Sequence, residues 1–357
     1  MSRKFYLSFL AVALAVTATV AFVIGHNSRT RAASNSALAA LPASDFVIQI
    51  DVQRALNETL PSMLSNNPAM LAKLNSHLEE FQQKTGINPR VFESIAIGGK
   101  LSQVASERRE PDTVIIARGS FNSTDLINAG FAAARKECQF DKEEQQYEGK
   151  TIYLIGPVRP LKKEADKDSD HATQEQSARL AASPPHGDKF AIAAVDSNTL
   201  AVGSPESVRA AIDASLGRNR VDDELVRLAT QSPNAAISFS GRIPQSITEK
   251  SASEGPFGKY FASIRQFYGS FSAQGNEAES FIALQTEKTE QATDIGQALN
   301  SMKSLVGLGM GQATGNPSQA DSLADLLKGV TITTQGNEVQ ISAKFHPGSL
   351  APLVHHF

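Results

Sequence analysis

The sequence predicts an α+β protein: two similar units of mostly antiparallel sheet with helices packed on one face, preceded by an N-terminal transmembrane or signal helix. Three observations carry this reading. From Phe46 onward, short β-branched runs alternate with helical stripes. Several strand pairs are closed by tight turns, which forces neighbouring strands to run antiparallel. Residues 5–24 contain no charge. The chain divides into a cytoplasmic stub (1–4), the anchor or signal (5–24), a tether (25–40), a first unit (41–217) with a mobile loop at 156–188, and a second unit (218–357).

The 357 residues are enough to bury a sizeable core, and the 41% hydrophobic and 20% charged content is that of an ordinary globular chain. A net charge of −3 gives no electrostatic reason to expect nucleic acid as a partner. The single cysteine, Cys138, excludes an intrachain disulfide and any cysteine-based metal cluster.

Arg3 and Lys4 precede FYLSFLAVALAVTATVAFVI, a run long enough to span a bilayer. They favour a cytoplasmic N-terminus, against a weaker opposing bias from Arg29 and Arg31. Three readings stay open: a single-pass inner-membrane anchor with the C-terminal domain outside the cytoplasm, a signal cleaved near Ala18, Ala21 or Ala32 that leaves a secreted or periplasmic protein, or a buried helix of a soluble protein. In the first two the membrane is met only through this helix. Gly25–Ala40 is small and polar and reads as a flexible tether.

Taken in order, Phe46–Val52 alternates as a strand, with Asp51 placed to cap the helix after it. Val52, Leu56, Leu60 and Leu64 share a helical face interrupted by Pro61. Pro68–Thr85 sets Met70, Leu71, Leu74, Leu78 and Phe81 on one stripe and stops at Gly86. Phe92–Leu101 and Thr113–Arg118 are strands joined by the charged Ser106–Pro111. Asn122 opens a helix with Ile127, Phe131, Ala134 and Cys138 on one face, and Tyr147-Glu-Gly-Lys turns into the strand Thr151–Ile155. Gly156–Asp188 lacks large apolar residues, cannot offset its ordering entropy, and reads as a mobile loop.

Lys189–Gly217 carries the clearest local signals: a strand, the turn Asp196-Ser-Asn198, a strand, then Ser204-Pro205-Glu206 opening an amphipathic helix. Beyond it, Asp222–Leu228 is helical, Ala235–Ser240 a strand, Phe257–Ile264 a helix, Gln266–Gln274 and Ser280–Thr286 strands, and Thr289–Val306 a helix. Gly307–Asn316 reads as a loop, and Val330–Thr334 pairs with Val339–Phe345 across Gln335-Gly-Asn-Glu338. The two halves match element by element: Asp45–Ile50 with Asn234–Phe239, Phe92–Gly99 with Tyr268–Gly275, the helix from Asn122 with that from Thr289, and Phe190–Val202 with Val330–Ile341.

Leu41-Pro42, Gly86-Ile-Asn-Pro89, Arg118-Gly-Ser-Phe-Asn122, Tyr147-Glu-Gly-Lys-Thr-Ile-Tyr153 and Asp196-Ser-Asn-Thr-Leu-Ala-Val-Gly-Ser204 together resemble a family of exported or signal-anchored bacterial proteins of unknown function. The likeness covers roughly Leu41–Leu216. It implies location and architecture, and brings no catalytic residues.

No catalytic, cofactor-binding or metal-ligating residue is assigned. Asp166-Lys-Asp-Ser-Asp170 imitates a calcium loop, but His171 stands where the sharp turn needs glycine and Ser177 where a bidentate glutamate closes the site. It reads as a solvated charge run. His346, His355 and His356 lack an i, i+4 pairing, and His77 sits at the edge of an apolar stripe as a packing residue. Gly307-Leu-Gly-Met-Gly311 follows a helix rather than a strand, unlike a phosphate-binding turn. Ser120 and Ser204 are explained by capping, Cys138 as a small hydrophobe, and Asp51 and Asp196 as cap and turn residues. The reading therefore leans against an enzyme, towards a non-catalytic, membrane-tethered extracytoplasmic module that binds or organises an envelope component. An extracytoplasmic hydrolase with a site assembled only in three dimensions, and a small-molecule or lipid carrier, are the alternatives.

Overall fold

A computed structural model of the chain describes residues 37–101, 112–156, 159–160, 189–251, 258–313 and 327–346. The predicted span Phe5–Ile24, the charged link Ser106–Pro111, most of Gly156–Asp188, and His355 and His356 lie outside the described residues. Among the described residues no helix is long and apolar enough to cross a membrane.

Among the described residues, twelve strands form one sheet: β1 (Phe46–Asp51), β2 (Phe92–Lys100), β3 (Asp112–Gly119), β5 (Lys142–Tyr147), β6 (Lys150–Ile155), β8 (Phe190–Asp196), β9 (Thr199–Gly203), β10 (Ile237–Arg242), β11 (Ile264–Gln274), β12 (Glu277–Thr286), β13 (Val330–Gln335) and β14 (Glu338–Phe345). The order is β13-β14-β12-β11-β10-β1-β2-β3-β9-β8-β6-β5, and every neighbouring pair is antiparallel. Two short strands, β4 (Cys138–Gln139) and β7 (Arg159–Pro160), pair separately. The seam between the two halves is the β1–β10 ladder, with Ile48 opposite Phe239 and Ile50 opposite Ile237. Backbone hydrogen bonds thus join the halves into a continuous sheet.

Helices cover both faces, which corrects the expectation that they pack on one. On the first face lie α3 (Pro68–Thr85), α4 (Ser123–Glu137) and α9 (Thr289–Ala313). Leu74 and Leu78 of α3 and Ile127 and Phe131 of α4 join Ile50, Ile95, Ala117 and Leu200 from the strands. Ala292 and Ile295 of α9 join Ile264 and Val339. On the second face lie α5 (Pro205–Ser215) and α6 (Asp223–Ala229), whose Val208, Ala211, Ile212, Leu225 and Ala229 meet Val47, Ala96, Ile116 and Ile152. The physical cause is visible in the strands. Val47 and Ala96 are buried on one side, Ile50 and Ile95 on the other, so these strands are apolar on both faces and both need cover. Each fully buried Ile or Leu contributes about 1.5–3 kcal/mol.

The cover stops short at one end. Tyr268, Ala283, Gln340 and Thr333 lie directly opposite one another across β11, β12, β14 and β13, as do Ser270, Phe281, Ser342 and Thr331. These rows share the face of Val47, and their outer members are Ser, Thr and Gln, a composition that water can face.

Local chemistry matches the sequence at several boundaries. Asn67 accepts from the Met70 amide at the start of α3, and Gly86 ends it with φ +72°. Asn122 caps α4, Ser204 caps α5 and Asp222 caps α6. Asp51 caps α1 (Val52–Arg54), which runs through a π-helical turn at Ala55–Thr59 into α2 (Leu60–Met63). Leucines repeating every four residues drift about 40° per step around a 3.6-residue helix. The wider π turn absorbs that drift and keeps Val52 and Leu56 buried.

Other boundaries differ. β5, KEEQQY, is a strand despite its polar sequence. α9 continues through Ala313, so Gly307-Leu-Gly-Met-Gly311 is helical rather than loop. The helix expected at Phe257–Ile264 reduces to α8 (Gly258–Phe261), because Ile264 already opens β11; α7 (Gln245–Ser251) precedes it. The last residues of the tether belong to the core: Ala37, Leu38 and Ala40 are buried against Leu41 and Val47.

Candidate functional site

The first face carries an apolar row through the middle of the sheet. Opposed residues run Ile341–Ile282–Gly269–Phe239–Ile48–Ile97–Ile115–Val202–Ile192, from β14 to β8. At about 4.8 Å per strand the row is roughly 38 Å long. The eight side chains in it are partly exposed, and Gly269 between them is buried, whereas Ile50, Ile95, Ala117 and Leu200 in the adjacent row have buried side chains. The difference follows from helix placement. Ile48, Ile97, Ile115 and Ile192 sit at the margin of the core beneath α3 and α4, and Ile332 of β13, beyond Ile341, at the margin of that beneath α9.

Glycine has a specific job in this row. A Cβ on Gly269 would come within 2.5 Å of the Phe239 ring, and one on Gly241 would overlap the Phe267 ring. The two rings thus lie over the glycines of the neighbouring strand, 6.2 Å apart, and keep the surface continuous.

On the second face, Tyr268 donates to the Glu338 carboxylate, 3.0 Å from each oxygen. Gln285 and Gln340 donate to the same carboxylate at 3.0 and 2.7 Å. Burial raises the Tyr268 hydroxyl above the usual tyrosine range, and the hydrogen bond and charge of Glu338 add to it. At the other end, the Tyr147 hydroxyl, 3.0 Å from Asp213, is raised chiefly by that hydrogen bond. Arg218 bridges Asp213 and Glu148, tying the β5–β6 turn to the end of α5. Arg242 reaches Asp222 and Glu224 at 2.9 Å each, and its hydrogen bond holds the Asp222 carboxyl below the usual carboxylate range.

The residues weighed in the sequence stay apart. Cys138 is buried at the end of α4, where it opens β4, and its Sγ donates to the Ala134 carbonyl. Ser204 caps α5, while Ser120 hydrogen-bonds Glu93 at 2.5 Å rather than capping. Asp196 accepts from the Asn198 amide as a turn residue. His346 Nδ1 lies 2.7 Å from the Asn276 carbonyl. His77 is exposed rather than partly packed. Asp166–Asp170 lies outside the described residues. Among the described residues no group of three His, Cys, Asp or Glu is placed to hold a metal ion. The apolar row was missed because each strand contributes a single residue to it, and only the register lines them up.

No protein-family profile matches this chain, and no curated protein matches it. Among solved structures it is similar to TP0453 in crystal form III, with TM-score 0.43 and 9% identity over 90% of this chain and 98% of that one. It is similar also to crystal form I, with TM-score 0.40 and 9% identity over 89% and 95% of the two chains.

Proposed function

We propose that this is a non-catalytic binding module, tethered outside the cytoplasm through Phe5–Ile24, whose contact surface is the apolar row from Ile341 to Ile192. The partly exposed aliphatic row carries the reading. A contiguous apolar strip on a folded surface marks a place where another apolar surface docks. Eight of the nine aligned strands offer a hydrocarbon side chain there, which suits an apolar segment of an envelope component and offers nothing for proton transfer. The strand orders β1-β2-β3-β9-β8 and β10-β11-β12-β14-β13 support a duplicated unit. α4 and α9 then occupy corresponding positions in the two copies, with the apolar row between them.

A photo-crosslinking residue in place of Ile97 or Ile115, in the full chain in cells, tests this, with the exposed Lys84 position as control. An adduct at the row and not at position 84 is the expected result. Adduct mass separates an envelope protein from a lipid or small molecule, the carrier reading that the same row accommodates. Equal labelling at all three positions removes the row as the contact surface.

A further inference from the structure

The two ends of the sheet are built differently. β5, at one end, reads KEEQQY, and its charges are engaged: Lys142 with Glu144 at 2.8 Å, and Glu143 with Lys189 at 2.6 Å. A strand arriving there would have to displace charged side chains, which is how proteins close an edge. β13, at the other end, reads VTITTQ, without a charge or a proline. Thr331, Thr333, Thr334 and Gln335 are exposed. Gln335 pairs with Glu338 across the two-residue turn Gly336-Asn337. In such a hairpin the flanking pair exchanges both backbone bonds, and hydrogen-bonded pairs then alternate. Residues 331, 333 and 335 therefore spend their backbone groups on β14, and Val330, Ile332 and Thr334 point theirs outward. Among the described residues, Lys303 donates to one of these, the Val330 carbonyl.

We propose that β13 pairs antiparallel with β13 of a second copy of this chain, joining two sheets into one across a twofold axis at Ile332. The strand is complementary to itself in that register. Ile332 opposes its own counterpart, and Val330 opposes Thr334 of the other copy, so all outward-pointing residues fall on hydrogen-bonding positions. On the second face Thr331 meets Thr333 of the other copy, a favourable cross-strand pair. On the first face the Ile332 pair extends each apolar row, Ile332–Ile341–Ile282, into the other molecule. No like charges meet, because the strand has none. The charged β5 edge prevents the same pairing from continuing at the far end, so association closes as a symmetric pair instead of growing into a fibre.

The test is the particle mass of the full chain in non-ionic detergent, by light scattering with the detergent subtracted. The natural sequence should give two chains per particle. T331K/T333K places lysines opposite each other only in the pair, on side chains that face water in the single chain, and should halve the mass with an unchanged melting temperature. T331E/T333E should also halve it, and mixing the two variants should restore the two-chain particle. If the lysine variant melts early, the glutamate variant and the mixture carry the test. A single-chain natural protein at every concentration, or an undiminished pair in both charged variants, overturns the proposal. Crosslinking at Ile97 and Ile115 is read in the single-chain variant, so failure of pairing and failure of the proposed binding surface are told apart.

Discussion

Tyr268 and Glu338 show how a polar pair is held on a sheet face by neutral donors. Three of them satisfy the carboxylate, and the tyrosine ring packs on Phe281 and Leu228. Because the folded protein raises the Tyr268 pKa, the neutral hydroxyl is favoured in the fold. Its contribution is fully present below the ordinary tyrosine value near 10 and is lost as pH rises through the higher folded value. Tyr268→Phe should lower stability by about 1 kcal/mol at neutral pH and flatten the alkaline loss. Chemical denaturation at a series of pH values measures both. Asp222 has the opposite sign. Its lowered pKa gives stability that is present above the ordinary aspartate value and lost as pH falls through the folded one. Asp222→Asn should weaken the acid limb of the same profile, and a profile unchanged in the acid range would argue that the Arg242 contact contributes nothing.

At the scale of elements, the helices depend on caps and the sheet on close approach. Asn122 accepts from the Thr124 and Asp125 amides, so Asn122→Ala should cost about 1 kcal/mol, read from the denaturation midpoint. Gly269→Ala introduces a Cβ against both the Phe239 ring and the Phe281 carbonyl, each closer than van der Waals contact permits. The ring can shift and the backbone cannot, so a loss of about 1–3 kcal/mol is expected, with the thermal midpoint as readout. A double variant G269A/F239A should not recover it, because the carbonyl contact remains.

For the whole molecule, the decisive feature is that the halves share one sheet and one helix. α6 sends Leu225 and Ala229 into the core beneath α5, and Leu228 onto Tyr268 in the second half. Thr59 and Ser62, in the helical segment after β1, reach Ala273 and Gly275 of the second half. Unfolding should therefore be a single transition in calorimetry, with calorimetric and van't Hoff enthalpies in agreement. Two resolved transitions would show that the seam between β1 and β10 is weaker than the cores on either side.

Residue patterns alone determined the caps at Asp51, Asn122 and Ser204, most strand starts, the Gly86 stop and the hairpin at Gly336-Asn337, because each depends on contacts within a few neighbouring residues. They determined too that the sheet is mostly antiparallel, since short turns join several of its neighbouring strands. Three features were beyond their reach. β5, KEEQQY, has no buried residue on either face, so it lacks the apolar alternation by which strands are recognised. The glycines at 307, 309 and 311 read as a break in the chain, yet the helix of α9 continues through them. The apolar row and the β13 end of the sheet exist only once twelve strands are in register, when residues as far apart in sequence as Ile48 and Phe239 become neighbours about 4.8 Å away. Pairing of distant strands, rather than local preference, decided which apolar side chains among the described residues stay partly exposed.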